Sequence, residues 1–309
     1  MYNSRNIAAR FPRLRRWMSV RPPLRPPLTD PLPSRKKVTI QDLHNLRQSK
    51  TPITMITAYD YPSALACSSS PLTDITLVGD SLAQVCLGYS STTQLTHSEM
   101  IHHAKAVARG TSHPLLVADM PFGTYHISIS QAIENAVEII REGRMEAVKL
   151  EGGKEIGDIV HRLTQVGIPV MAHVGLLPQR HTSLSGYKVQ GRTMDGAKKV
   201  LQDALALQEA GAFALVVEAV PLELGKYITD RLKIPTIGIG AGPHTSGQVC
   251  HPWSFSSKLV TFKGSRLRRS YGCMVWTQGE IRSTLCELPR VARESHSKLW
   301  GSSEGRIIP

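Results

Sequence analysis

Several absences narrow the reading at once. No apolar run approaches the ~18 residues that a membrane-crossing helix needs. Only five cysteines occur among 309 residues (Cys67, Cys86, Cys250, Cys273 and Cys286), and none shows CxxC or zinc-ligand spacing. An odd, dispersed set argues for a reducing compartment and against a disulfide framework. No GxGxxG follows the first predicted strand, which weakens a dinucleotide reading. Acids are nearly missing from residues 1–37, where Asp30 stands alone against ten Lys/Arg. Residues 250–309 contain no Asp at all, and four Glu face ten Lys/Arg. The net charge of +13 therefore belongs to the two ends, because residues 38–249 carry 17 basic and 19 acidic side chains. A nucleic-acid partner would want a basic stripe on the folded surface, so this distribution argues against one.

What is present is the pattern of a buried parallel sheet. The length suits one α/β domain of roughly 250 residues with extensions, and a hydrophobic content of 41% supports a sizeable core. Four short apolar runs each end in an acid: Ile75–Gly79 at Asp80, Leu115–Ala118 at Asp119, Ala147–Leu150 at Glu151, and Ala214–Val217 at Glu218. Continuous apolar runs of this length suit strands covered on both faces. Chemistry in parallel α/β folds sits at the carboxyl ends of strands. Four acids converging there would be costly unless a divalent metal or a mobile proton explains them.

Further strands are predicted at Ile53–Ala58, Ile168–His173 and Pro235–Ile239. The intervening helices carry their own signals. Thr96-His97-Ser98-Glu99 is a capping box. Residues 128–142 place Ile133, Ala136, Val137 and Ile140 on one face, and Gly143 suits the C-cap. Asp195 is placed as the cap of a helix that buries Val200, Leu201, Ala204 and Leu205. Three serines and Pro71 in residues 65–74 predict local disorder rather than a clean first helix. Seven βα-type units point to an eight-stranded barrel whose last strand is not evident, with an open doubly wound sheet as runner-up.

The phrases TAYDYPSA (57–64), LVGDSLA (77–83), VADMPFGTY (117–125), VKLEGG (148–153), HVGLLPQ (173–179), GYKVQGR (186–192), VEAVP (217–221) and IPTIGIGAG (234–242) occur in this order. Together they closely resemble the ketopantoate hydroxymethyltransferase family, over roughly residues 38–249. The resemblance implies a (β/α)8 barrel of the phosphoenolpyruvate/pyruvate type. It also implies transfer of a hydroxymethyl group from 5,10-methylenetetrahydrofolate to 3-methyl-2-oxobutanoate, giving 2-dehydropantoate for pantothenate and coenzyme A synthesis. Magnesium is implied as cofactor, the partners being a small 2-oxo acid and the folate. Homo-oligomeric rings, commonly decamers, are implied for the family.

Carried over residue by residue, Asp80 and Asp119 match the metal aspartates and Glu151 completes the metal site. Glu218 matches the proton acceptor, and a strand-end carboxylate in a dry pocket suits a base. Ser81 would hold the substrate carboxylate, Lys149 would neutralise substrate charge, and His173 would lie near the transferred carbon. Blander readings stand beside these. Asp80 or Asp119 could cap the next helix, Glu218 could anchor Lys226, and His173 could be a satisfied core histidine. The glycines of GAGPHTSGQ either help to receive the folate or shape a turn.

The ends stand apart. Residues 1–37 combine Arg, Pro and an apolar side at Ile7, Phe11, Leu14, Trp17 and Met18 over residues 5–18, which predicts a mitochondrial transit segment and a matrix location. From Cys250 the family's expected text stops. Residues 250–309 read as disordered, or as sequence translated from another frame or an unspliced intron. This leaves the eighth strand and the C-terminal helices doubtful, with two open sheet edges and doubtful assembly. Two other functions compete: a different magnesium-dependent 2-oxo-acid lyase or mutase, and an inactive barrel kept for binding.

Overall fold

The structure, a computed structural model, describes residues 35–183 and 186–250. The predicted transit helix and nearly all of the divergent tail lie outside them. Eight strands form one closed parallel barrel in sequence order. They are β1 Ile53–Thr57, β2 Ile75–Val78, β3 Leu115–Asp119, β4 Ala147–Glu151, β5 Val170–Gly175, β6 Ala214–Glu218, β7 Thr236–Ile239 and β8 Gly247–Cys250. The open doubly wound sheet is therefore excluded.

The eighth strand corrects the expectation of open edges. Gly247–Cys250 pairs with Ile53–Ile56 on one side, and Gly247 and Gln248 pair with Ile237 and Gly238 on the other. The strand escaped notice because it is four residues long and opens on glycine, a poor strand former. That glycine is needed. A Cβ on Gly247 would stand 2.4 Å from the carbonyl oxygen of Ile53. No C-terminal helix is needed to close the ladder.

Strand alternation divides the apolar residues into two bodies. Ile53, Met55, Ile75, Leu77, Leu115, Val117, Ala147, Met171, Val216, Ile237 and Val249 point inward and fill the barrel. Ile56, Val78, Leu116, Val148, Leu150, Ala172, Leu215 and Val217 point outward and pack beneath the helices. The inward parity continues upward through Asp119, Lys149, Glu151, His173 and Glu218. The same alternation that fills the lower barrel thus turns polar at its upper mouth.

The helical layer bears out several caps and corrects others. Thr96 and Glu99 form the expected capping box on the helix His97–Gly110, and Ser128 caps Ile129–Arg141. In that second helix the buried residues are Ala132, Ala136 and Ile139, while Val137 is exposed. Ile133 and Ile140 are partly buried against the same core, so the face is rotated by about one residue. After it, the left-handed residue is Arg144 rather than Gly143. Thr193, not Asp195, caps Met194–Glu209, its hydroxyl accepting from the Gly196 N–H at 3.1 Å. Asp195 lies in the first turn, where the helix dipole favours an acid. Residues 61–69 form a helix after all, because Asp60 and Ser63 make a reciprocal capping box that offsets the weak helix formers behind it.

Candidate active site

The predicted residues converge on a cavity of about 150 Å³ at the carboxyl ends of the strands. Asp80, Ser81, Asp119, Lys149, Glu151, His173 and Glu218 all line it. Register explains much of this. Asp119 lies opposite Lys149, Glu151 opposite His173, and Gly175 opposite Glu218.

Neither aspartate caps a helix. Asp80 precedes Ser81, which starts the short helix Leu82–Val85 without a side-chain cap. Asp119 receives the backbone N–H of Asp80 on Oδ2 at 3.0 Å and the Lys149 ammonium on Oδ1 at 2.7 Å. Burial and the charges of Asp119 and Glu151 hold the Asp80 carboxyl well above its usual range, against the pull of Lys149 and Gln179. Burial alone would discharge Lys149, yet Asp119, Glu151 and Asp80 raise its pKa.

His173 is not a satisfied core histidine. Its ring nitrogens lie 3.6 Å from Glu151 Oε1 and 3.1 Å from Glu218 Oε2, but neither is aligned for a hydrogen bond. Burial and Lys149 lower its affinity for a proton; Glu151 and Glu218 outweigh them and hold the pKa at about 9. The ring thus lies between two carboxylates that favour its protonated form. Burial would raise the Glu151 carboxyl, but His173, Lys149 and the Gln179 N–H together bring it below its ordinary value.

Glu218 departs from the expected dry pocket. Its side chain is 19% exposed, against 2% for His173 and Glu151. It faces both His173 and solvent, and it does not anchor Lys226, which pairs with Asp230. Ser81 Oγ lies 2.9 Å from the Tyr59 hydroxyl, itself almost fully buried.

The three expected metal acids meet at one cavity, but among the described residues no group of three His, Cys, Asp or Glu side chains forms a ligand cluster. Glu151 is otherwise engaged: Oε2 accepts the Gln179 N–H at 3.0 Å and Oε1 faces His173. Sequence reasoning also missed Gln179 and Tyr59, although both lie inside the matched phrases; neither residue type announces itself as catalytic. The glycines after β7 shape the turn, with Gly240 and Gly242 at positive φ of 63° and 82°. No helix among the described residues is long and apolar enough to cross a membrane.

A closed parallel (β/α)8 barrel with buried acids, a lysine and a histidine at its carboxyl mouth defines an enzyme of the α/β-barrel class. Solved structures share the fold at low identity. Phosphonopyruvate hydrolase in complex with oxalate and Mg2+ aligns with TM-score 0.54 at 14% identity, over 86% of this chain and 92% of that one. Phosphoenolpyruvate phosphomutase from Streptomyces platensis subsp. rosaceus gives TM-score 0.52 at 14% identity, over 70% and 82%. The family profile of ketopantoate hydroxymethyltransferase matches residues 37–252, and the chain belongs to that family of transferases.

Relatives carrying the name 3-methyl-2-oxobutanoate hydroxymethyltransferase agree. That of Emericella nidulans is 50% identical over 215 residues, 70% of this chain and 61% of the relative. That of Heliobacterium modesticaldum is 51% identical over 69% of this chain and 77% of the relative. That of Ignicoccus hospitalis is 50% identical over 69% and 81%. The chain thus spans under two thirds of the Emericella relative and about four fifths of the Ignicoccus one.

Proposed function

We propose that the chain catalyses the reaction for which its relatives are named. It would transfer a one-carbon unit from 5,10-methylenetetrahydrofolate, with water, to C3 of 3-methyl-2-oxobutanoate, giving 2-dehydropantoate and tetrahydrofolate. The convergence of Asp80, Asp119, Lys149, Glu151, His173 and Glu218 on one cavity carries this reading.

The donor set fits a hard divalent cation. Asp80, Asp119, Glu151 and Glu218 set four carboxyl groups against two basic ones, Lys149 and His173, and burial with the neighbouring acids raises the Asp80 carboxyl. Such a surplus in a buried mouth is costly without a counter-ion. Magnesium accepts oxygen ligands and keeps several waters, so it needs no closed protein cage. Asp80 and Asp119 would hold it, with Glu151 behind them. Bound there, Mg2+ would supply Lewis-acid polarisation of the substrate's keto group.

The remaining roles fall to the chain itself. Glu218, open to the cavity, takes the proton from C3. His173 pairs with Glu218 and orients its carboxylate. Ser81, steadied by Tyr59, donates to the substrate carboxylate. Lys149 pairs with Asp119 and offsets the charge brought by the 2-oxo acid.

The test is direct. The full chain is incubated with 3-methyl-2-oxobutanoate, 5,10-methylenetetrahydrofolate and Mg2+, and 2-dehydropantoate is followed by mass spectrometry. Product that disappears with chelator is expected; no product with any divalent cation overturns the reading. The Arg- and Pro-rich composition of residues 1–37 supports a further proposal, delivery to the mitochondrial matrix. A fluorescent fusion of that segment that stays in the cytosol would refute it.

A further inference from the structure

Gln179 reaches two acids at once. It lies in the turn Pro178–Arg180, after β5, and is 4% exposed. Its side-chain Nε2 donates to Asp80 Oδ2 and to the Met120 carbonyl, both at 2.9 Å. Its backbone N–H donates to Glu151 Oε2 at 3.0 Å. Its Oε1 lies 2.8 Å from the Tyr125 hydroxyl, which also approaches the Glu151 carbonyl at 3.1 Å.

The amide has only one workable orientation. Flipped, Oε1 would face a carboxylate and a carbonyl with no proton between them, and the Nε2 donations to Asp80 and Met120 would both be lost. The two fixed acceptors, Asp80 Oδ2 and the Met120 carbonyl, therefore lock the direction in which the N–H groups point, and the Tyr125 hydroxyl completes the other end of the amide. One residue from the β5 loop thus bridges the ends of β2, β3 and β4.

We infer that Gln179 is a positioning residue for the proposed reaction: it aims Asp80 and fixes Glu151 at the mouth of the barrel. Engaging Oδ2 of Asp80 fixes the carboxylate plane at the cavity wall. Engaging Oε2 of Glu151 leaves Oε1 facing His173. The inference rests on the reading of Asp80 as a metal-holding acid. Gln179 touches no reacting atom and acts only through these two carboxylates.

A residue that merely knits the loop to the barrel would affect stability alone. A residue that aims Asp80 affects cation and 2-oxo-acid affinity in the folded protein. The full chain and its Gln179→Leu variant are therefore titrated with Mn2+ by electron paramagnetic resonance, without substrate or folate. KM for 3-methyl-2-oxobutanoate and kcat are then measured separately, with thermal unfolding alongside.

Loss of Mn2+ affinity by about ten- to a hundredfold is expected in Gln179→Leu, the range for a hydrogen bond to an ionised acceptor. KM should rise with it. Tyr125→Phe leaves the acid side chains and Gln179 in place and removes only the hydroxyl that meets Oε1 and the Glu151 carbonyl. It should shift both affinities in the same direction by a few-fold, and adding it to Gln179→Leu should cost little more. Wild-type affinities in a folded Gln179→Leu overturn the inference, as do wild-type affinities in Tyr125→Phe should Gln179→Leu not fold. Absence of Mn2+ binding by the wild-type chain would instead overturn the metal reading beneath it.

Discussion

Lys149 and Asp119 stand opposite each other in the β3–β4 ladder, and their side chains meet at 2.7 Å inside the barrel. Both are about 5% exposed, so each is the other's principal compensation for lost water. Lys149→Met leaves the Asp119 carboxylate buried without its ammonium. Breaking a buried pair from one side costs about 3–5 kcal/mol. Urea denaturation should show a loss of that order, and hydroxymethyl transfer should fall below detection. A Lys149→Met variant as stable as the wild type would mean that Asp119 is discharged or otherwise paired.

Glu218 is 19% exposed against 2% for Glu151, so Glu218→Gln perturbs the buried mouth less than loss of Glu151 would, while His173 keeps Glu151 as its other carboxylate. Glu218→Gln should slow C3 deprotonation by roughly 10²–10⁴, the usual worth of a positioned base. The reading is deuterium uptake at C3 of 3-methyl-2-oxobutanoate in D2O without folate, followed by proton NMR. Exchange at the wild-type rate would assign the base elsewhere.

Much of this site was legible before any coordinates. Each of the four acids follows an apolar run, and strand periodicity puts Lys149 and Glu151 on one face. Four things were not legible. Gln179 works through both its backbone and its side chain, and backbone donors leave no mark in composition. The buried face of residues 129–141 is placed by periodicity only to within a residue. The strand Gly247–Cys250 draws its stability from two neighbours rather than from its own propensities. The exposure of Glu218 likewise depends on the open mouth above β6, a property of the assembled barrel.

His173 sets a pH dependence for the chain without bound cation. Its pKa is raised from 6.5 to about 9, so the folded state binds the proton more tightly than the unfolded state. The resulting stability is complete below about pH 6.5 and is lost as pH rises toward 9. At 1.36 kcal/mol per pKa unit it amounts to roughly 3 kcal/mol. Asp80, also raised, acts in the same sense. The melting temperature of the chelator-treated chain should therefore fall between pH 6.5 and 9, and His173→Gln should flatten that fall. Added Mg2+ should oppose it by stabilising ionised Asp80. A melting temperature that rises over this interval would show the imidazole to be neutral.

Closure of the barrel comes down to Gly247. Its Cα sits where any side chain would strike the Ile53 carbonyl at 2.4 Å and the Ile53 Cβ at 2.7 Å. Neither atom can give way cheaply, since one is backbone and both belong to the β1 ladder. Gly247→Val must push β8 off β1, exposing the inward Val249 and the strand edge of Ile53–Thr57. The cost is that of overpacking, about 1–3 kcal/mol or somewhat more once ladder bonds part. Urea denaturation should register it, and amide exchange should show β1 protection lost before that of β4 and β5, which lie across the barrel. Unchanged exchange in β1 would mean that these four residues are not what closes the sheet.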